Sequence, residues 1–255
     1  MPLKKSLGQH FLMHARIAER IAHVAEIAPT DTVLEIGPGG GILTRALLAH
    51  AKKIIAVETD RELFEKLRST FASEIAEGKL DLVLGDIRTF DPTNIGGAYS
   101  IVANIPYYLT GEIMRMFLEA AHQPQRMTLL VQKEVAERIA RSRKESLLSL
   151  SVKVYGTPKI EFTVPHGAFR PAPGVDSAVL SIRNITRRCF ATTLEETRFF
   201  TLIRAGFAHK RKLLASNLAG LALPDALEHA DIAPKARAED LALSAWLALA
   251  QGSPR

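Results

Sequence analysis

The chain has 255 residues, 47% of them hydrophobic and 24% charged, with a formal net charge of +6 and a pI near 9.5. That length accommodates one α/β catalytic domain and a smaller appendage, and the apolar content supplies the core of a soluble globular protein. No apolar stretch approaches the ~20 residues of a spanning helix, the stretch from Met1 to Gly8 lacks the apolar region of a secretory signal, and the single Cys189 can form neither an intramolecular disulfide nor a thiolate metal site, so a reducing, cytoplasmic setting is expected.

Ile17, Ile21, Val24 and Ala28 recur at helical spacing before Pro29, which predicts a first helix over 13–28. Short runs with β-branched content follow at 32–36, 53–57, 80–84, 99–103 and 127–131, separated by helical patterns at 42–50, 60–77, 111–121 and 133–141. Such alternation predicts a parallel, doubly wound sheet whose ligand lies outside the carboxyl ends of the strands. After Leu147 the pattern becomes strand-like at 149–154, 159–164 and 177–182, with a proline-rich loop over 169–174, so the sheet should end in antiparallel strands. Beyond Arg187 the runs 195–207, 210–218, 223–229 and 239–249 all read as helix. The expected division is a catalytic domain over 1–186 and a small all-α domain over 187–255.

Charge sets the second domain apart. Between 183 and 212 eight basic residues stand against two acidic ones, so this stretch carries the whole net charge of the chain. A basic block on a neutral body suggests a polyanionic partner such as nucleic acid, with Arg204, Lys210, Arg211 and Lys212 as candidate phosphate contacts. A solvated helix face with uneven charge is the competing reading.

The first strand runs into Glu35-Ile36-Gly37-Pro38-Gly39-Gly40-Gly41, where glycines let the backbone turn tightly and approach a ligand ahead of a helix. A nicotinamide-type fingerprint would need a small residue at position 42, which is Ile42. An acid followed by the alternating Gly37, Gly39 and Gly41 is the pattern of methyltransferases that use S-adenosylmethionine (SAM), although a dinucleotide site or a structural turn also suits this loop alone. Glu58, 21 residues after Gly37 at the end of the second strand, is suited to accept from both ribose hydroxyls of a nucleoside. Asp86 ends the third strand, where a carboxylate accepts from an adenine amino group or caps a turn. With Glu35, these make three strand-end acids around one crevice.

The fourth strand ends in Asn104-Ile105-Pro106-Tyr107. An exocyclic base amine is a poor nucleophile because its lone pair is delocalised into the ring. A carboxamide oxygen on Asn104 and the Ile105 carbonyl, each accepting one N–H, would hold the amine pyramidal and facing a methyl donor, with Pro106 stiffening the loop. Tyr107 would stack on the extruded base. This chemistry needs neither a metal nor a strong general base, because the methylated amine is acidic enough to release its proton to water.

These motifs, with Lys5-Ser6-Leu7-Gly8-Gln9-His10-Phe11-Leu12, Gln132-Lys133-Glu134-Val135, the run from Phe169 to Val179 and Phe207-Ala208-His209-Lys210-Arg211-Lys212, occur in an order that resembles the KsgA/RsmA family of ribosomal RNA adenine dimethyltransferases over nearly the whole chain. The resemblance implies a Rossmann-like SAM-dependent methyltransferase fold and a SAM site completed by His10, Leu12, Gly37, Gly39, Glu58, Asp86 and Asn104. Its implied substrate is a pair of adjacent adenosines in a hairpin loop near the 3′ end of small-subunit (16S) rRNA, each dimethylated on N6 in a 30S precursor particle by a monomeric enzyme without metal or membrane. Phe169 would face the target base opposite Tyr107. Two positions depart from the family: His10, where bacterial members usually carry Asn, and Tyr108, where Asn is common. An Erm-type enzyme acting on large-subunit rRNA and an assembly factor with incidental catalysis are the alternatives; the Val175–Val179 match and the basic helical tail favour the small-subunit family.

Overall fold

The computed structural model describes residues 10–221 and 226–252. Five strands, β2 (Thr32–Ile36), β3 (Lys53–Glu58), β4 (Leu80–Leu84), β5 (Tyr99–Asn104) and β6 (Arg126–Gln132), are mutually parallel. β9 (Ser177–Arg183) runs antiparallel between β6 and β7 (Thr157–Val164), giving the order β4-β3-β2-β5-β6-β9-β7. A separate antiparallel pair joins β1 (Phe11–Leu12) to β8 (Phe169–Arg170). The central strands are near-continuous apolar runs because helices cover both faces of such a sheet: Val33, Leu34, Ile54, Ala56, Ile101, Val102, Leu129 and Leu130 are all buried.

The helices between these strands are α1 (Ala15–Val24), α2 (Ile42–Leu48), α3 (Arg61–Thr70), α4 (Ala72–Ala76), α5 (Thr110–Glu119) and α6 (Lys133–Ala140). Asp60 starts α3 by accepting from the N–H groups of Glu62 and Leu63. The single helix expected over 60–77 is two, because Phe71 leaves helical geometry at φ −113°, ψ 29° with its ring fully buried.

The strand expected over 149–154 is instead helix α7 (Leu147–Lys153). A short apolar run fits either period, and the cap decides: Ser146 Oγ accepts from the Ser149 N–H at 3.1 Å while Ser149 Oγ accepts from the Ser146 N–H at 2.7 Å, a reciprocal box that commits the chain to helix.

The chain divides into two compact units, Met1–Ala136 with Thr157–Ile185, and Glu137–Gly156 with Thr186–Arg255. The third crossing, between residues 185 and 186, lies one residue from the expected boundary, whereas residues 137–156 join the helical unit. That unit holds α7, α8 (Thr193–Gly206), α9 (Leu214–Leu218), α10 (Ala226–His229) and α11 (Leu243–Gln251). Of the helix expected over 223–229, residues 223–225 lie outside the described residues. The helical unit is built around aromatic groups: Phe199 and Phe200 meet edge to face, Phe200 stacks on Tyr155, and the buried Trp246 stacks on Phe207. The helix expected over 210–218 begins only at Leu214, so Lys210, Arg211 and Lys212 lie in the exposed turn after α8.

Candidate functional site

Sheet order and register assemble the site. The strand order reverses between β2 and β5, so the chain leaves these neighbouring strands in opposite directions and opens a crevice at their carboxyl ends. Ile36 pairs with both Val57 and Ala103, and Glu58 pairs with Leu84. One step beyond the paired rungs therefore lie Gly37, Glu58, Gly85-Asp86 and Asn104-Ile105, all lining one cleft together with His10, Phe11, Leu12, Pro106, Tyr107 and Tyr108.

The glycine loop follows from backbone geometry. Gly37, Gly39 and Gly41 have φ of +67°, +55° and +78°, left-handed conformations that L side chains rarely adopt, which explains the alternate spacing. A Cβ on Gly39 would also lie 3.1 Å from the Phe11 ring, so β1 closes directly over this loop.

Glu58 has a structural task that sequence did not reveal. Its Oε2 accepts from the Gly39 N–H at 3.1 Å and its Oε1 from the Asp60 N–H at 2.9 Å, tying the glycine loop to the end of β3. Burial pushes its carboxyl above the usual range, and these backbone donors pull it partly back. Asp86 both caps the turn at Ile87–Thr89, accepting from the Arg88 N–H at 2.9 Å, and lines the cleft. The Arg88 side chain pairs with it and holds its carboxyl below the usual range.

Glu35, in the floor of the cleft, is buried, and neither carboxyl oxygen has a hydrogen-bond partner among the described residues. Burial raises it from 4.5 to about 8; the nearby Thr44 hydroxyl, outside ordinary hydrogen-bond geometry, relieves only part of this, and the Glu58 charge adds to it.

On the other side of the cleft, Asn104 Nδ2 donates to the His10 carbonyl at 3.1 Å. That bond orients the carboxamide and leaves Oδ1 as its accepting end. The His10 ring donates from Nδ1 to the Pro171 carbonyl at 2.7 Å and stacks on Tyr107, with centroids 5.6 Å apart and planes at 26°. Tyr107 shares a 2.7 Å hydrogen bond with Ser177 Oγ, and burial raises its phenol. Tyr108 points outward, 63% exposed.

Phe169 does not join this cleft. It is 2% exposed and belongs to the buried cluster that holds Leu12, Val164 and Val179. In the β1–β8 pair Phe169 lies directly opposite Leu12, which itself lines the cleft. The ring that packs against Tyr107 is that of His10. Sequence reasoning also passed over Phe11 and Ser177 individually, although both lie within the matched motifs. Among the described residues no group of three or more His, Cys, Asp or Glu side chains is placed to hold a metal ion.

The sequence profile of the family described as ribosomal RNA adenine dimethylase matches residues 2–252. A curated relative from Dehalococcoides mccartyi, ribosomal RNA small subunit methyltransferase A, is 42% identical over 253 residues, covering 95% of this chain and 86% of the relative. Among solved structures, a dimethyladenosine transferase from Plasmodium falciparum superposes with a TM-score of 0.79 at 26% identity, over 94% of this chain and 96% of the other. The 23S rRNA methyltransferase ErmE superposes with a TM-score of 0.76, also at 26% identity, over 94% of this chain and 98% of its own.

The unpaired Glu35 carboxyl gives a pH prediction for the ligand-free protein. Because its folded-state value, about 8, exceeds the ordinary 4.5, the folded protein holds a proton that the unfolded chain releases. The resulting stabilisation is full below pH 4.5 and is lost as pH rises toward 8. Glu35→Gln, neutral and of the same shape, should flatten the fall in melting temperature across this window; a slope equal to that of the parent protein would contradict the assignment.

Proposed function

Because the chain belongs to the family of ribosomal RNA adenine dimethylases, we propose that it dimethylates N6 of two adjacent adenosines in a hairpin loop near the 3′ end of small-subunit rRNA. It does so in the cytoplasm, as a monomer acting on a 30S precursor particle. The observation that carries this reading is the Asn104 carboxamide, held by the His10 carbonyl in the cleft that also contains the glycine loop.

S-adenosylmethionine, the methyl donor of this family, supplies an electrophilic methyl group on a sulfonium. The cleft suits such a nucleoside: the left-handed Gly37 and Gly39 bring bare backbone to its wall, Glu58 and Asp86 present carboxylates, and Leu12 and Ile87 offer apolar surface. His10, Leu12, Gly37, Gly39, Glu58, Asp86 and Asn104 would hold it. Asn104 Oδ1 and the Ile105 carbonyl accept the two N–H groups of the adenine amine, so that its lone pair turns from the ring toward the methyl group. Pro106 limits the freedom of the loop and Tyr107 stacks on the base. The methylated amine would be cationic and acidic enough to pass its proton to water, so the cleft's residues need supply no general base.

Small-subunit rRNA is favoured over the large-subunit target of the Erm structure by the whole-chain identity to relatives named for the small subunit. Asn104→Ala should lower kcat by roughly 10² while weakening SAM binding much less, because the lost acceptor acts on the reacting amine. Near-parent turnover would refute the mechanism.

Arg204, Lys210, Arg211 and Lys212 are all exposed in the helical unit and are the proposed phosphate contacts. Neutralising several together should flatten the salt dependence of RNA binding by nearly one unit of log-log slope per lost contact, with SAM affinity unchanged. Equal flattening on substituting the exposed Lys52, Lys66, Arg68 and Lys79 would remove any special claim for the block.

A further inference from the structure

The geometry points to Ser177 as a positioning residue for the reaction: it anchors the Tyr107 hydroxyl and thereby sets the plane of the ring on which the target base stacks. This inference rests on the stacking role proposed for Tyr107.

The two hydroxyls lie 2.7 Å apart although 70 residues separate them in sequence. They come from different kinds of structure. Tyr107 follows Pro106 in a single turn of 3-10 helix after β5, a loop with no sheet pairing of its own. Ser177 is fully buried at the start of β9, opposite Gln132 of β6 on one side and Val164 of β7 on the other, so its position is fixed from both flanks. The hydrogen bond therefore ties the tip of a loop aromatic to a strand paired on both sides. A tyrosine ring has two side-chain torsions, and an anchor at its para oxygen restricts both. The His10 ring, 5.6 Å from it at 26°, restrains it further from one face.

For a stacking residue this restraint has a catalytic consequence. Only Pro106 separates the accepting pair, Asn104 and Ile105, from Tyr107 in the chain, so a tilt of the ring carries the base amine away from its acceptors. Small misplacements of this kind lower turnover more than binding. The bland reading is that Ser177 and Tyr107 only satisfy each other's polar atoms. In that case the bond contributes to stability and leaves the chemistry of the folded enzyme alone.

The test compares Ser177→Ala, Tyr107→Phe, the double variant and Tyr107→Ala in the full-length protein. Each is measured for kcat and KM with an rRNA hairpin, for SAM affinity by calorimetry, and for stacking by the fluorescence of 2-aminopurine at the target position. Tyr107→Phe keeps the ring and removes only the anchor, so it serves even if Ser177→Ala fails to fold. We expect Ser177→Ala and Tyr107→Phe each to lower kcat by roughly 3- to 10-fold, the scale of one neutral hydrogen bond, and to weaken 2-aminopurine quenching, with SAM affinity unchanged. The double variant should be no worse than either single one. Parent-like kcat and quenching in Tyr107→Phe, or losses that multiply in the double variant, would overturn the proposal. Parent-like activity in Tyr107→Ala would instead refute the stacking role itself, whereas an inactive Tyr107→Ala beside normal Tyr107→Phe would refute the anchor alone.

Discussion

The reversal of strand order between β2 and β5 is the constraint on which the rest depends. It places the exits of two neighbouring strands side by side without a crossover covering them, and the pairing of Ile36 with Val57 and Ala103 brings the glycine loop, Glu58 and Asn104 to one level. The remaining contacts turn that level into a site. Glu58 fixes the glycine loop through the Gly39 N–H, β1 closes over it at Phe11, and the His10 carbonyl orients Asn104.

His10 joins the two halves of the chemistry. Its carbonyl holds the residue proposed to accept from the reacting amine, its ring packs on the proposed stacking tyrosine, and its Nδ1–H reaches the loop after Phe169. The neighbouring β1–β8 pair then ties the cofactor side of the cleft to the segment that begins at Phe169. An asparagine in its place would retain the backbone carbonyl but have no aromatic ring to stack. The His10 ring is thus a local addition to an arrangement that the main chain already makes.

The parallel strands were legible in the sequence because buried strands are continuous apolar runs bounded by turn residues; β2 and β4 match their expected spans. The strand-end acids and the Asn104–Tyr107 loop were legible because they follow those strands directly. Residues 149–154 were misread because a short apolar run lacks a decisive period, and the deciding serine cap involves only two side chains. The burial of Phe169 was not legible because its surroundings depend on pairing with Leu12, 157 residues away. The Tyr107–Ser177 and Asn104–His10 bonds join segments 70 and 94 residues apart and leave no local trace in the sequence.

The central claim is transfer of methyl groups to adenine N6 in small-subunit rRNA. Mass spectrometry of rRNA from cells lacking the gene, with and without a plasmid copy, tests it most directly. The account predicts loss of N6,N6-dimethyladenosine from the 3′ hairpin of small-subunit rRNA and its return with the parent gene. Undiminished dimethyladenosine in that hairpin, with loss from large-subunit rRNA instead, would contradict it.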